Sequence, residues 1–337
     1  MRIVILGAGT WGTALARMLC LAGHDVTLWS ALPEEIREMR RTRAHRNLPG
    51  MVLPEGICLM EDLAGAIRGR EIVVFAVPSV YVRGTAARVK AHLEPGQILA
   101  DVAKGIEPDT LYTMSEIIED VLAEEDGCPY PVVALSGPTH AEEVAQDMLT
   151  TIVAASRDPQ AAATVQRVFS NEFMRVYTNS DVKGVELCGA LKNVVALAAG
   201  ISRGLGYGDN ARAALITRGM SEITTLGLRM GCREQTFSGL AGFGDLMVTA
   251  FSEHSRNNRC GYLIGSGVEP EEAVRQVGMV VEGIHALAAA RTLAERYQVE
   301  MPIVEEVDQI IHHGISAQEA VATLMGRALK SEIPANR

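Results

Sequence analysis

The sequence has few aromatic residues, no Cys-x-x-Cys pair and no surplus of positive charge, and each shortage removes a class of protein. Only 4% of the residues are aromatic while 48% are hydrophobic. That balance belongs to an Ala/Gly/Val-rich α/β enzyme, not to a disordered or fibrous chain. The six cysteines (Cys20, Cys58, Cys128, Cys188, Cys232, Cys260) are scattered, so they form neither a disulfide framework nor a zinc site and read as reduced, mostly buried thiols. A formal charge of -10 argues against nucleic-acid and anionic-membrane partners, both of which need basic surfaces. A small anionic ligand remains open, because a few local cations decide that. A strand begins at Met1 with no signal region before it, and no uncharged apolar stretch is long enough to span a bilayer. The expectation is a cytoplasmic protein of 337 residues, enough for two domains.

What is present is regular. Arg2 to Leu6 is a short β-branched apolar run, and a helix-like stretch from Thr13 to Ala22 stops at Gly23. Further strands are expected at 24–29, 71–77, 97–102, 131–135, 151–155 and 174–177, with helical segments between several of them. This is the pattern of a parallel, doubly wound sheet. After Asn179 long Ala/Leu-rich helical stretches take over, at 210–227, 269–277, 283–297, 304–312 and 317–329. The predicted architecture is an α/β chain: a Rossmann-like dinucleotide-binding domain over 1–180 and an all-helical substrate domain over 181–337, with a ligand between them.

Five segments carry chemistry. Gly7-x-Gly9-x-x-Gly12 follows a strand and opens a helix. Gly7 permits the tight turn, Gly9 the approach of a pyrophosphate, and Gly12 close helix–strand packing. Lys192 lies in the apolar run Val185–Gly200, with Cys188, Gly189, Val195 and Ala196 one turn away. No carboxylate pairs with it from its own helix, so it either snorkels to solvent or sits desolvated with a lowered pKa suited to proton transfer. Lys104 and Ser136-Gly-Pro-Thr-His-Ala141 each follow a strand, at the sheet edge where such folds bind ligands. Finally, the glycines around Asp245 imply close backbone approach, and Ser255-Arg-Asn257 sets a hydroxyl, a guanidinium and an amide in a row suited to phosphate oxygens. Helix capping is the other reading of Ser255. His140 and His254 are given no catalytic role.

Taken together, the blocks at 7–15, 103–107, 135–141, 191–193, 208–210, 239–246, 255–257 and 280–283 closely resemble bacterial NAD(P)-dependent sn-glycerol-3-phosphate dehydrogenase over essentially the whole chain. The resemblance implies reversible reduction of dihydroxyacetone phosphate to sn-glycerol 3-phosphate, a product that feeds glycerophospholipid synthesis. It implies that Lys192 moves the proton and that Lys104 lies beside both substrate and nicotinamide. Gly137, Thr139, Asp245, Ser255, Arg256 and Asn257 are then expected to line the substrate site. Thr10, Trp11, Ala141, Val280 and Glu282 are expected at the cofactor, with Arg256 reaching it too. A homodimer follows from the resemblance as well. A ketopantoate reductase or a β-hydroxyacid dehydrogenase would share the fold and a helix-borne lysine without needing the 255–257 triplet. A non-catalytic nucleotide sensor would not need both lysines. Trp29 is followed by Ser30-Ala31, where family members often carry an arginine or histidine, and no acid stands at that strand end. The missing acid leans the cofactor expectation, NADP or NAD, towards NADP.

Overall fold

The computed structural model describes residues 1–332; the last five residues of the expected 181–337 unit lie outside the described residues. Eight strands, β1 (Arg2–Leu6), β2 (Asp25–Trp29), β3 (Cys58–Met60), β4 (Ile72–Phe75), β5 (Ile98–Asp101), β6 (Val132–Ser136), β7 (Thr150–Ala155) and β8 (Met174–Asn179), make one sheet. Their order is β3-β2-β1-β4-β5-β6-β7-β8. The inner strands are mostly apolar, β4 along its whole length, because helices cover both faces of the sheet. β1 lies between β2 and β4, so the strand order reverses there, and a crevice opens outside the carboxyl ends. Leu6 stands beside Trp29 and Phe75, and Phe75 beside Asp101, so the four strands end on a common edge.

The sheet departs from expectation in two places. β3, three residues long, carries too little periodicity to be read in sequence. β7 runs antiparallel to β6, so the sheet is mixed and not wholly parallel. The reason lies in the connection: between β6 and β7 the only helix, Ala141–Val144, is four residues long. Such a helix rises roughly 6 Å, too little to carry the chain back across the sheet as a parallel crossover requires.

Beyond β8 the fold is helical and built around Val182–Gly204, which is buried on every face. By length and composition it qualifies as a membrane span although it carries Lys183, Glu186 and Lys192, yet its apolar window is wholly buried inside the protein. Asp181 caps it: one carboxylate oxygen accepts from the Gly184 amide (3.1 Å), the other from the Arg233 amide (2.9 Å) and Thr236 Oγ1 (2.7 Å). The cap therefore also anchors the segment leading to Asp245. The other expected helices lie at Asp209–Arg229, Pro270–Val277, Glu282–Tyr297, Pro302–His312 and Ala317–Met325, the last ending at Gly326, short of residue 329.

Candidate active site

The crevice at the edge of β1, β4 and β5 continues into the helical half as a cleft of ≈ 410 Å³. Gly9, Thr10, Trp11, Lys104, Thr139, Ala141, Lys192, Ser255, Arg256, Asn257, Val280 and Glu282 all line it, twelve of the sixteen residues singled out in sequence. The other four, Gly7, Gly12, Gly137 and Asp245, lie behind its wall and shape it.

The glycine loop is built as its spacing demands. Gly7 has φ +123°, and a Cβ there would stand 2.4 Å from the Ala76 carbonyl oxygen. A Cβ on Gly12 would meet the Gly7 carbonyl oxygen at 2.1 Å, so helix and strand touch backbone to backbone. Gly9, in contrast, has nothing within 4 Å of where a Cβ would be. No side chain caps the helix Thr10–Leu21 at that end. Open space before Gly9 and an uncapped helix start fit a dinucleotide pyrophosphate.

Lys192 is not unpaired, contrary to the reading from its own helix. Its Nζ lies 2.7 Å from Asp245 Oδ1 and donates to Thr249 Oγ1 at 2.5 Å. The second oxygen of the same carboxylate takes Lys104 Nζ at 2.6 Å, and Lys104 also donates to the Gly137 carbonyl at 3.1 Å and to Thr139 Oγ1 at 3.4 Å. Asp245 is completely buried and sits beneath the two lysines instead of lining the cleft. The π-helical turn Leu240–Gly244 aims it: a Cβ on Gly242 would fall 2.1 Å from the Phe237 carbonyl oxygen, so only glycine lets the turn close this tightly. Burial pushes the Lys192 pKa down to about 8, with Asp245 opposing the fall and Lys104 and Arg256 adding to it.

The other wall is a relay of amides. Asn257 Nδ2 donates to Asn193 Oδ1 at 2.9 Å, and its own Oδ1 accepts from the Gly283 amide at 2.8 Å. Asn257 thus ties the lysine helix to the start of Glu282–Tyr297. Ser255 caps the helix Arg256–Gly265, accepting from the Asn258 amide at 3.2 Å, which bears out the capping reading. Arg256 is exposed and donates to the Val280 carbonyl at 3.1 Å. Glu282 accepts from the amide (3.3 Å) and the hydroxyl (2.6 Å) of Ser79, clasping the loop after β4. Sequence reasoning missed Thr249 and Asn193; Thr249 lies one turn beyond Asp245 on the same helix, a spacing that marks it as a partner. His140 donates to the Val248 carbonyl at 3.4 Å, and burial with the nearby Lys192 charge lowers its pKa.

Against known families, residues 2–162 match the model described as NAD-dependent glycerol-3-phosphate dehydrogenase N-terminus, and residues 181–322 match its C-terminus. The chain belongs to this family. Among members of the glycerol-3-phosphate dehydrogenase family, the chain is 60% identical over 334 residues to a glycerol-3-phosphate dehydrogenase [NAD(P)+] of Lactobacillus delbrueckii subsp. bulgaricus, covering 98% of this chain and 99% of that protein. It is 46% identical over 333 residues to one from Fusobacterium nucleatum, covering 98% of each. The crystal structure of the Coxiella burnetii glycerol-3-phosphate dehydrogenase superposes with a TM-score of 0.92 at 36% identity, covering 97% of this chain and 99% of that one. A ketopantoate reductase from Ralstonia eutropha, at a TM-score of 0.61 and 17% identity, shares the fold alone.

Proposed function

We propose that the protein is an NAD(P)-dependent oxidoreductase interconverting dihydroxyacetone phosphate and sn-glycerol 3-phosphate, with Lys192 as the proton carrier. The observation that carries this reading is the pair of ammonium groups held on one buried carboxylate where the glycine-loop crevice meets the helical half. A bound dinucleotide supplies the hydride to the carbonyl carbon, or takes it back in the reverse direction. Lys192, protonated, donates to the carbonyl oxygen as negative charge develops there, and in reverse its neutral form accepts the hydroxyl proton. Lys104 places a second positive charge at that oxygen. Asp245 cancels one of the two charges, so the cluster keeps a net +1 for an anionic substrate. Arg256, exposed at the start of its helix, binds the phosphate and fixes the reacting carbon in register. Asn257, committed on both sides of its amide, acts on that grip by holding the helix start in place.

The domains keep these boundaries in the proposal: residues 1–180 for the dinucleotide and 181–337 for substrate and proton transfer. The homodimer that the resemblance implies and the cytoplasmic location expected from the sequence belong to it too, and the free state of all six cysteines accords with a reducing compartment. The decisive experiment follows dinucleotide absorbance with dihydroxyacetone phosphate. Turnover of the unaltered protein and a fall in kcat of at least about a hundredfold in Lys192→Ala are expected. Near-normal turnover in that variant overturns the assignment.

A further inference from the structure

The carboxylate missing from the end of β2 in sequence is returned by the next helix. Trp29, the last residue of β2, accepts from the Gly7 amide at 2.8 Å, so the strand tip is bonded to the glycine loop itself. The next residue, Ser30, is buried, and its hydroxyl donates to Glu35 Oε2 at 2.7 Å while accepting from the Leu32 amide at 3.1 Å. This turn draws Glu35, in the first turn of the helix Pro33–Thr42, back onto the strand tip, where it stands half-buried. On the other side of the loop His45 bonds the Ala8 carbonyl at 3.2 Å, and the Glu35 carboxylate acts on its ring. Glu35 therefore stands where a dinucleotide fold places the acid that receives the adenosine ribose hydroxyls.

The cations that could hold a 2′-phosphate instead are mostly committed. Arg37 and Arg40 both grip Glu61, at 3.0 and 3.2 Å, and Arg40 also donates to the Leu59 carbonyl at 2.8 Å. Arg43 donates to the Leu53 and Pro54 carbonyls. The helix start, which would otherwise attract a phosphate, already carries Glu34 and Glu35 in its first turn. Arg41 and Arg46 are exposed with no hydrogen bond or ion pair among the described residues, and Arg88 lies over the Trp29 ring at 5.0 Å; Arg46, next to His45, is the competitor adjoining the loop.

We infer that Glu35, held by Ser30, selects the unphosphorylated dinucleotide, so that the protein prefers NADH to NADPH. The ribose 2′-hydroxyl donates to the carboxylate, whereas a 2′-phosphate meets like charge there. This rests on the dinucleotide reading of the crevice but not on the choice of substrate, so binding alone tests it. Fluorescence titration of NADH and NADPH, without dihydroxyacetone phosphate, is expected to give at least a tenfold tighter Kd for NADH. Glu35→Gln keeps the bond to Ser30 and loses the charge; it is expected to weaken NADH several-fold, tighten NADPH and shrink the ratio. Equal affinities in the unaltered protein, or an NADPH preference abolished by Arg46→Ala, overturn the inference while leaving the dehydrogenase reading intact. Binding of neither dinucleotide overturns both.

Discussion

Asp245 decides what Lys192 can do. Two neighbouring lysine amines without a counter-ion would each resist protonation, while one lysine paired with one carboxylate would hold its proton too firmly to exchange it. Two lysines on a single carboxylate lie between these extremes, and burial then brings Lys192 to about 8. Reduction needs the ammonium form, so kcat/KM for dihydroxyacetone phosphate is expected to fall as pH rises through about 8, while the oxidising direction rises over the same range. Asp245→Asn removes the influence that raises the lysine. The falling limb should then move to lower pH, and reduction at neutral pH should lose far more than oxidation does. Leaving the buried Lys192 ammonium without its partner also costs roughly 3–5 kcal/mol. A pH–rate profile in both directions, with a thermal melt, checks this; an unmoved limb in Asp245→Asn would show that the carboxylate does not tune the lysine.

The crossing of Val182–Gly204 with Arg256–Gly265 sets the distance between Lys192 and Arg256, the proposed proton carrier and phosphate grip. A Cβ on Gly200 would lie 2.2 Å from the Asn258 carbonyl oxygen, and one on Gly261 2.1 Å from that of Leu197. The helices therefore meet backbone to backbone with no room for one methyl group. Alanine in place of a helical glycine ordinarily gains up to about 1 kcal/mol. Here the clash is with rigid backbone, and overpacking of that kind costs about 1–3 kcal/mol or more, so the clash wins. Gly200→Ala is expected to lower Tm and to raise KM for the phosphorylated substrate more than it lowers kcat, because it pushes the start of Arg256–Gly265 outward from Lys192. A raised Tm would mean that the helices part at no cost. Nothing in sequence points to this pair, since two glycines some sixty residues apart have no shared local signature. The glycines around Asp245 were legible because they crowd one short segment.

At the scale of the whole chain, the features that local spacing encodes were legible: the glycine loop after β1, the strands other than β3, the long helices, and the glycines crowded around Asp245. What was not legible depends on which distant surfaces meet. Asp245 pairs with a lysine fifty-three positions away, and Glu35 returns to a strand end that looked unacidic. Glu186 is of the same kind and joins the two halves of the molecule. It leaves the lysine helix to accept Thr113 Oγ1 at 2.7 Å, the Ser115 amide at 2.8 Å and Ser115 Oγ at 2.5 Å, all from the sheet half. Burial pushes its pKa up to about 7 against the pull of those bonds. Asp101, also buried, is raised by its own burial and by the Glu186 charge. A carboxyl group raised in the folded state stabilises fully below its unfolded value and loses that contribution as pH climbs through the folded value. For Glu186 the window runs from about 4.5 to about 7, and a shift of that size is worth about 3 kcal/mol. Other groups titrate nearby: His24, His45 and His140 are lowered by burial and act in the opposite direction. The clean measurement is therefore a difference. Glu186→Gln imitates the protonated acid, and the Thr113 and Ser115 hydroxyls can turn to accept from its amide. Relative to the unaltered protein, the variant should match or fall slightly below in stability near pH 5 and gain steadily towards pH 8. Denaturant melts of both proteins across that range would show a flat difference if the acid were ionised throughout.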